Sequence, residues 1–249
     1  MSLTQSEGDS QMSNETFNNA LVEYESDSGK VKLSPVIIRT YLVSGGGNVS
    51  DQEIAMFLNL CKYQKLNPFL REAYLIKFGT APATMVTGKE VFTKRASKHP
   101  QFDGMEAGII ILKEDKTIES RPGTLLLEGE KLVAGWAKVY RKDQRVPIEN
   151  TASIKEYLRT KADGKPMSNW ASMPATMIRK VALVQSLREA FPDEFQGLYS
   201  QEEMPVDNTL LEEKPVKIAT KEIIEATIED AFNEPEEDPF VTAMKNEVA

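Results

Sequence analysis

The chain has 249 residues, 41% of them hydrophobic, and a formal net charge of −8; this is long enough for a domain with its own core, and no run of 18 apolar residues reads as a membrane span. A single cysteine, Cys61, and a single histidine, His99, exclude an internal disulfide framework and a His/Cys zinc site, and the lone thiol fits a reducing, cytoplasmic setting. The charge is sorted along the chain: residues 1–29 hold six acids and no Lys or Arg (net −6), residues 30–199 hold 26 Lys and Arg against 18 acids (net +8), and residues 200–249 hold four Lys against 14 acids (net −10). An acidic total therefore hides a basic body, the pattern of a polyanion-binding surface with acidic arms.

Residues 1–29 are polar and acidic, without apolar periodicity, a basic n-region or an apolar h-region, and read as a disordered arm and not as a secretory signal. Ser34-Pro35 starts a helix that Gly45-Gly-Gly-Asn48 ends. Ser50-Asp-Gln-Glu53 has the form of a capping box, and the helix behind it runs Ile54–Tyr63 until Leu66-Asn-Pro-Phe69 breaks it. Ala73–Phe78, Ala107–Leu112, Thr124–Leu127 and Leu132–Tyr140 have strand character, with a short basic helix at Lys89–Lys98 between the first two. Arg141-Lys-Asp143 is the tip of a hairpin, and Ile154–Arg159 a short helix. Asn169-Trp-Ala-Ser-Met-Pro174 leads into a strong helix, Ala175–Phe191, whose apolar face is Met177, Ile178, Val181, Leu183, Val184, Leu187 and Phe191, stopped by Pro192. Beyond Tyr199 the composition shifts. Residues 30–204 form the core, 205–217 an acidic linker, and 218–249 an acidic tail with one amphipathic helix, Ile218–Phe232.

Catalytic chemistry is hard to place on this chain. Gly88-Lys89 lacks the Ser or Thr and the upstream Gly spacing of a phosphate-binding loop, and Gly45-Gly-Gly-Asn48 lacks the Lys. No metal or other cofactor is expected. The carboxylates Asp103, Glu106, Glu114 and Asp143 have no motif spacing, so a metal-dependent nuclease is an alternative without a signature; a basic adaptor for acidic protein partners is another. What remains is binding. Four basic clusters stand out: Lys89/Lys94/Arg95/Lys98, Lys138/Arg141/Lys142/Arg145, Lys155/Arg159/Lys161/Lys165 and Arg179/Lys180/Arg188. Each alone suits a solvated face, whereas four in one +8 body suit convergence on phosphates. Trp136, Tyr140 and Trp170 lie beside basic or Pro turns and are of the type that stacks on bases.

Several stretches carry a resemblance. They are Leu66-Asn-Pro-Phe-Leu-Arg-Glu-Ala-Tyr74, Gln101-Phe-Asp-Gly-Met105, Val139-Tyr-Arg-Lys-Asp143 with Pro147-Ile148, and Trp170-x-Ser-x-Pro174 leading into Met177-Ile-Arg179, Ala190-Phe191 and Gly197-Leu-Tyr199. In order and spacing they are similar to the phage single-strand annealing proteins of the Bet/RecT family, over roughly residues 33–204. The resemblance implies an α+β fold, a small antiparallel sheet with packed helices and a basic DNA-binding groove. It implies ATP-independent binding of single-stranded DNA and annealing of complementary strands into duplex in phage recombination, inside the bacterial host cell. It further implies a homo-oligomer, ring or helical filament, working beside a 5′→3′ exonuclease.

Position by position, the resemblance makes Arg71, Lys94, Arg141, Lys142, Arg179 and Arg188 the DNA-binding residues, with Trp170 at the family's Trp. The family carries further basic residues on the last helix where this chain has Ala175, Thr176 and Val181; Lys180 is expected to compensate. Glu236-Glu-Asp-Pro-Phe240 resembles the acidic, Pro-Phe-ended tip of bacterial single-strand binding proteins, and the C-terminal region is expected to engage partners, including the exonuclease and the host single-strand binding protein.

Overall fold

The computed structural model describes residues 20–160, 163–166 and 168–203. The expected linker at 205–217, the Ile218–Phe232 helix and the Glu236–Phe240 tip lie outside the described residues. The architecture is α+β, as expected, with nine strands in three sheets among the described residues.

The chain enters as a hairpin, β1 (Val22–Ser26) against β2 (Gly29–Leu33). This shortens the disordered arm expected over residues 1–29, whose last residues belong to the hairpin. Tyr24, Val31 and Leu33 face the core, and the Tyr24 hydroxyl donates to the Leu66 carbonyl at 2.8 Å. On the other face Glu23 pairs with Lys32 at 2.9 Å, and Glu25 stands opposite Lys30. The boundary between acidic arm and basic body thus falls inside a hairpin whose acids face its lysines, an arrangement that favours cross-strand pairing.

Ser34 caps one α-helical turn, Pro35–Ile37, which widens into a π-helix, Ile38–Leu42 (together α1), shorter than the single α-helix expected. The two-residue strand β3 (Val43–Ser44) then runs parallel to β4 (Ala73–Ile76), which is antiparallel to β5 (Thr84–Thr87). Gly45 has φ +96°, and a Cβ there would lie 2.4 Å from the Lys77 carbonyl oxygen, so only Gly lets the chain turn this close to β4. The expected capping box is present in full and opens α2 (Asp51–Tyr63), which buries Ile54, Phe57, Leu58 and Cys61. Burial pushes the Cys61 thiol up to about 12, so it is held as an inert thiol.

Glu53 does more than cap. Its Oε1 accepts from the Lys77 ammonium and from the Ala83 amide, each at 2.7 Å, and its Oε2 from the Ser50 amide at 2.8 Å. Burial alone would raise its pKa; the Lys77 ammonium and the two amides outweigh it and hold the carboxyl down at about 2. A folded pKa below the unfolded value stabilises the fold above the unfolded pKa, about 4.3, and that stability drains away as pH falls toward 2. Glu53→Gln is expected to lower stability at pH 7 by about 2–4 kcal/mol, since it strands Lys77 in a largely buried site. It should also flatten the fall of the melting temperature between pH 5 and pH 2, checked by thermal melts across that range.

A 3-10 turn, Pro68–Leu70, capped by the Asn67 side chain, follows α2 and places Arg71 in the left-handed region at φ +58°. The helix α3 (Lys89–Lys98) is as expected and buries Val91, Phe92 and Ala96. The largest sheet has the order β7-β6-β8-β9, all antiparallel, from β6 (Phe102–Leu112), β7 (Ile118–Pro122), β8 (Lys131–Arg141) and β9 (Ile148–Ser153). The polar strands β5, β7 and β9 were not anticipated. Thr124–Leu127, expected as a strand, is instead a loop with Leu125, Leu126 and Leu127 exposed; the Arg121 guanidinium holds it by donating to the Leu125 carbonyl and to Glu130.

Two short helices, α4 (Ile154–Tyr157) and α5 (Ser168–Ser172), precede α6 (Pro174–Ala190). All seven residues of the expected apolar face of α6 are buried. The helix lies on β8 and β9, close enough that a Cβ at Gly135 would fall 2.3 Å from the Ile178 carbonyl oxygen. Among the described residues no helix is long and apolar enough to cross a membrane.

Candidate nucleic-acid interface

The last helix offers the cations. Lys180 and Arg188 are eight residues apart, two turns and about 12 Å along the axis, on a flank turned away from the apolar stripe. After Phe195 the chain doubles back alongside β5, where the Thr87 amide donates to the Tyr199 carbonyl at 2.8 Å and Ser200 bridges Thr87. This lays Tyr199–Glu203 over the flank of α6. The Arg188 guanidinium stacks 4.0 Å from the Tyr199 ring centroid and pairs with Glu203 at 2.8 Å. Lys180 pairs with Glu202 at 3.2 Å. Glu203 is itself only 5% exposed and accepts from the Ser200 amide and hydroxyl, each at 3.0 Å.

From the other side comes β4. The Tyr74 hydroxyl donates to Gln201 Oε1 at 2.9 Å. Burial pushes this phenol up to about 12; Glu202 and Glu90 add to the rise, while the positive charge of Arg71 opposes it. Arg71 is exposed on its left-handed turn, and a Cβ at Gly88, the residue after Thr87, would fall 2.8 Å from the Arg71 carbonyl oxygen.

The other expected binding residues have partners of their own. Arg179, next to Lys180, turns toward the sheet and donates Nε to the Ala107 carbonyl at 3.2 Å. Lys94 lies on α3 with Glu72 at 3.2 Å and the Ser28 hydroxyl at 2.8 Å. Its neighbour Arg95 is largely buried and ties Asp27, the Gln64 side chain and the Glu194 carbonyl together, a structural clamp. Arg141 donates to both oxygens of Asp143 at 2.8 and 2.6 Å, bonds the Ala190 carbonyl at the end of α6, and lies 5.1 Å from the Phe191 ring. A guanidinium on the last carbonyls of a helix complements its dipole. Lys142 is exposed and donates to the Pro100 carbonyl at 3.2 Å. Trp170 is 5% exposed and packed in the core, with no ring face open to a base.

Of the seven cations expected to line a basic groove, four, Lys94, Arg141, Lys180 and Arg188, hold a carboxylate. The residues that sequence reasoning missed are Tyr74, Tyr199, Glu202 and Glu203. A signal existed, because Ser200-Gln-Glu-Glu203 has capping-box spacing directly after Gly197-Leu-Tyr199. Among the described residues no three His, Cys, Asp or Glu side chains are grouped to hold a metal ion.

A family model described as the RecT family matches residues 31–218. The chain is 25% identical over 169 residues to the recombination protein bet of Escherichia phage lambda, a match that covers 66% of this chain and 56% of that protein. It is 26% identical over 188 residues to an uncharacterized protein of Ureaplasma parvum, covering 73% of this chain and 76% of that protein. The chain thus spans little more than half the length of its phage relative. The matched stretch runs from within β2 through α6 and takes in both cationic segments described above, and with three quarters of its length inside one family model the chain belongs to the RecT family.

Proposed function

We propose that this chain binds single-stranded DNA through the surface formed by Arg71, Lys180 and Arg188, and promotes pairing of complementary strands in phage recombination. The observation that carries the reading is the RecT family match, which contains these three cations, and the relative named a recombination protein supports it. The side chains suit the task. Lysine and arginine neutralise phosphates without reading base edges, so sequence selection is left to base pairing. Tyr199 and Tyr74 add aromatic surface for sequence-tolerant stacking. Pairing supplies its own free energy of about 1.4 kcal/mol per stacked step, so no nucleotide hydrolysis is needed.

Copies of the chain act together as a ring or filament, which multiplies modest contacts along one strand. A 5′→3′ exonuclease exposes the strand, and the C-terminal region engages that enzyme and a host single-strand binding protein. The test is annealing of two complementary oligonucleotides followed by fluorescence quenching, without ATP. The protein is expected to accelerate pairing, and strand affinity to fall with salt at a log–log slope of about −0.7 per phosphate neutralised. Unaccelerated pairing, or a flat salt titration, would overturn the reading.

A further inference from the structure

The segment Tyr199–Glu203 brings two carboxylates onto the cations assigned above, and the two are held very differently. Glu203 accepts from three donors, the Ser200 amide, the Ser200 hydroxyl and Arg188. It pins the turn. Glu202 meets Lys180 at 3.2 Å through one oxygen, and its neighbour Gln201 accepts from the Tyr74 hydroxyl. A carboxylate oxygen on a lysine ammonium is the same chemistry as a phosphate oxygen on that ammonium, a single charge-assisted contact to a point charge. The backbone beneath is tied to β5 through Thr87, by the bond from its amide to the Tyr199 carbonyl and the bridge to Ser200. Releasing Glu202 alone would leave Lys180 open two turns before Arg188 on α6, with the Tyr199 ring against Arg188 and the Tyr74 hydroxyl on Gln201, next to Glu202.

We propose that Glu202 is an internal stand-in for a phosphate, which occupies Lys180 in the free protein and is displaced when single-stranded DNA binds. The proposal rests on the DNA-binding reading above and adds its regulation: the acidic edge of the core competes with the strand for one cation and so sets a threshold on binding. Because the competitor is tethered, its effective concentration is high. A short or weakly held strand loses to it, and a strand gripped by several copies wins.

The experiment is fluorescence anisotropy of the full chain with a labelled oligothymidine, comparing the parent with Glu202→Gln and Glu149→Gln. Glu149 pairs with Lys138 at 3.3 Å on β8 and β9, so its variant makes the same charge change away from the surface. Glu202→Gln is expected to bind about three- to tenfold tighter, the effect of one weak ion pair removed from competition. Glu149→Gln should change affinity less than twofold, and thermal melts should show both variants folded. A Glu202→Asp variant, which keeps the charge but draws it back by one methylene, should also bind more tightly than the parent. A parent that binds, with Glu202→Gln no tighter or Glu149→Gln equally tight, overturns the stand-in and leaves the DNA-binding reading intact. No binding by the parent or by any variant overturns both.

Discussion

Replacing Arg71 and Lys180 together by Gln is expected to weaken binding of single-stranded DNA by about 30- to 150-fold near physiological salt, two charge-assisted phosphate contacts each contributing about 1–1.5 kcal/mol net in a partly exposed setting. Salt dependence should fall in step, the log–log slope becoming shallower by about 1.4 for two single-strand phosphates. The pair is chosen for what it leaves undisturbed. Arg71 is exposed on its turn, and Lys180 contributes one ion pair at the helix flank. The melting temperature should therefore move by only a few degrees while affinity drops. Unchanged affinity in the doubly substituted chain would remove this surface as the interface.

Arg141→Gln should behave in the opposite way. Its guanidinium is committed to Asp143, to the Ala190 carbonyl and to the Phe191 ring, so its loss unpairs the end of α6 and costs stability more than affinity. The same reasoning separates Trp170 from the cations. A buried indole against α6 holds the helix that presents Lys180 and Arg188, and acts on binding only through that helix.

What was legible in the sequence was local. The box at Ser50 and Glu53, the Lys89–Lys98 helix and the apolar spacing of α6 are periodic signals that need no distant partner, and they fold as read. What was not legible depended on pairing. Glu23 and Glu25 were counted with an acidic arm, yet they face Lys32 and Lys30 across a hairpin. Glu202 and Glu203 were counted with an acidic tail, yet they fold back onto Lys180 and Arg188. A charge block is a property of the sequence, whereas a potential surface is a property of neighbours in space. Edge strands hid for a related reason: Ile-Glu-Ser-Arg-Pro in β7 has one neighbour and an open side, so little apolar alternation marks it. Leu125-Leu126-Leu127 read as a strand because three leucines suggest burial, but Gly123 at φ +80° and Gly129 at φ +84° bracket it as a loop.

The largest effect on the fold is expected from Gly135→Ala. Gly135 lies mid-strand on β8, paired with Ile109 and Ala152, and nothing in its backbone conformation requires glycine. The requirement comes from α6. An added Cβ would stand 2.3 Å from the Ile178 carbonyl oxygen, 2.6 Å from its carbon and 2.9 Å from the Arg179 nitrogen. All three are main-chain atoms, so no rotamer change relieves the contact, and strand and helix must part. Lifting α6 loosens the packing of Ile178, Val181, Ala182 and Leu187 and stretches the bond from Arg179 to the Ala107 carbonyl. Overpacking a rigid site costs at least about 3 kcal/mol here, the upper part of the usual range, set against about 0.4–1 kcal/mol gained from a stiffer unfolded chain. At about 2–4 °C per kcal/mol for a chain of this size, the melting temperature should fall by about 5–10 °C. Truncating the neighbouring side chain in an Ile178→Ala, Gly135→Ala double variant should give no rescue, since the offending atoms belong to the backbone. A melting temperature within 2 °C of the parent for Gly135→Ala would mean that α6 does not ride directly on β8, and that Lys180 and Arg188 are presented from a different helix position.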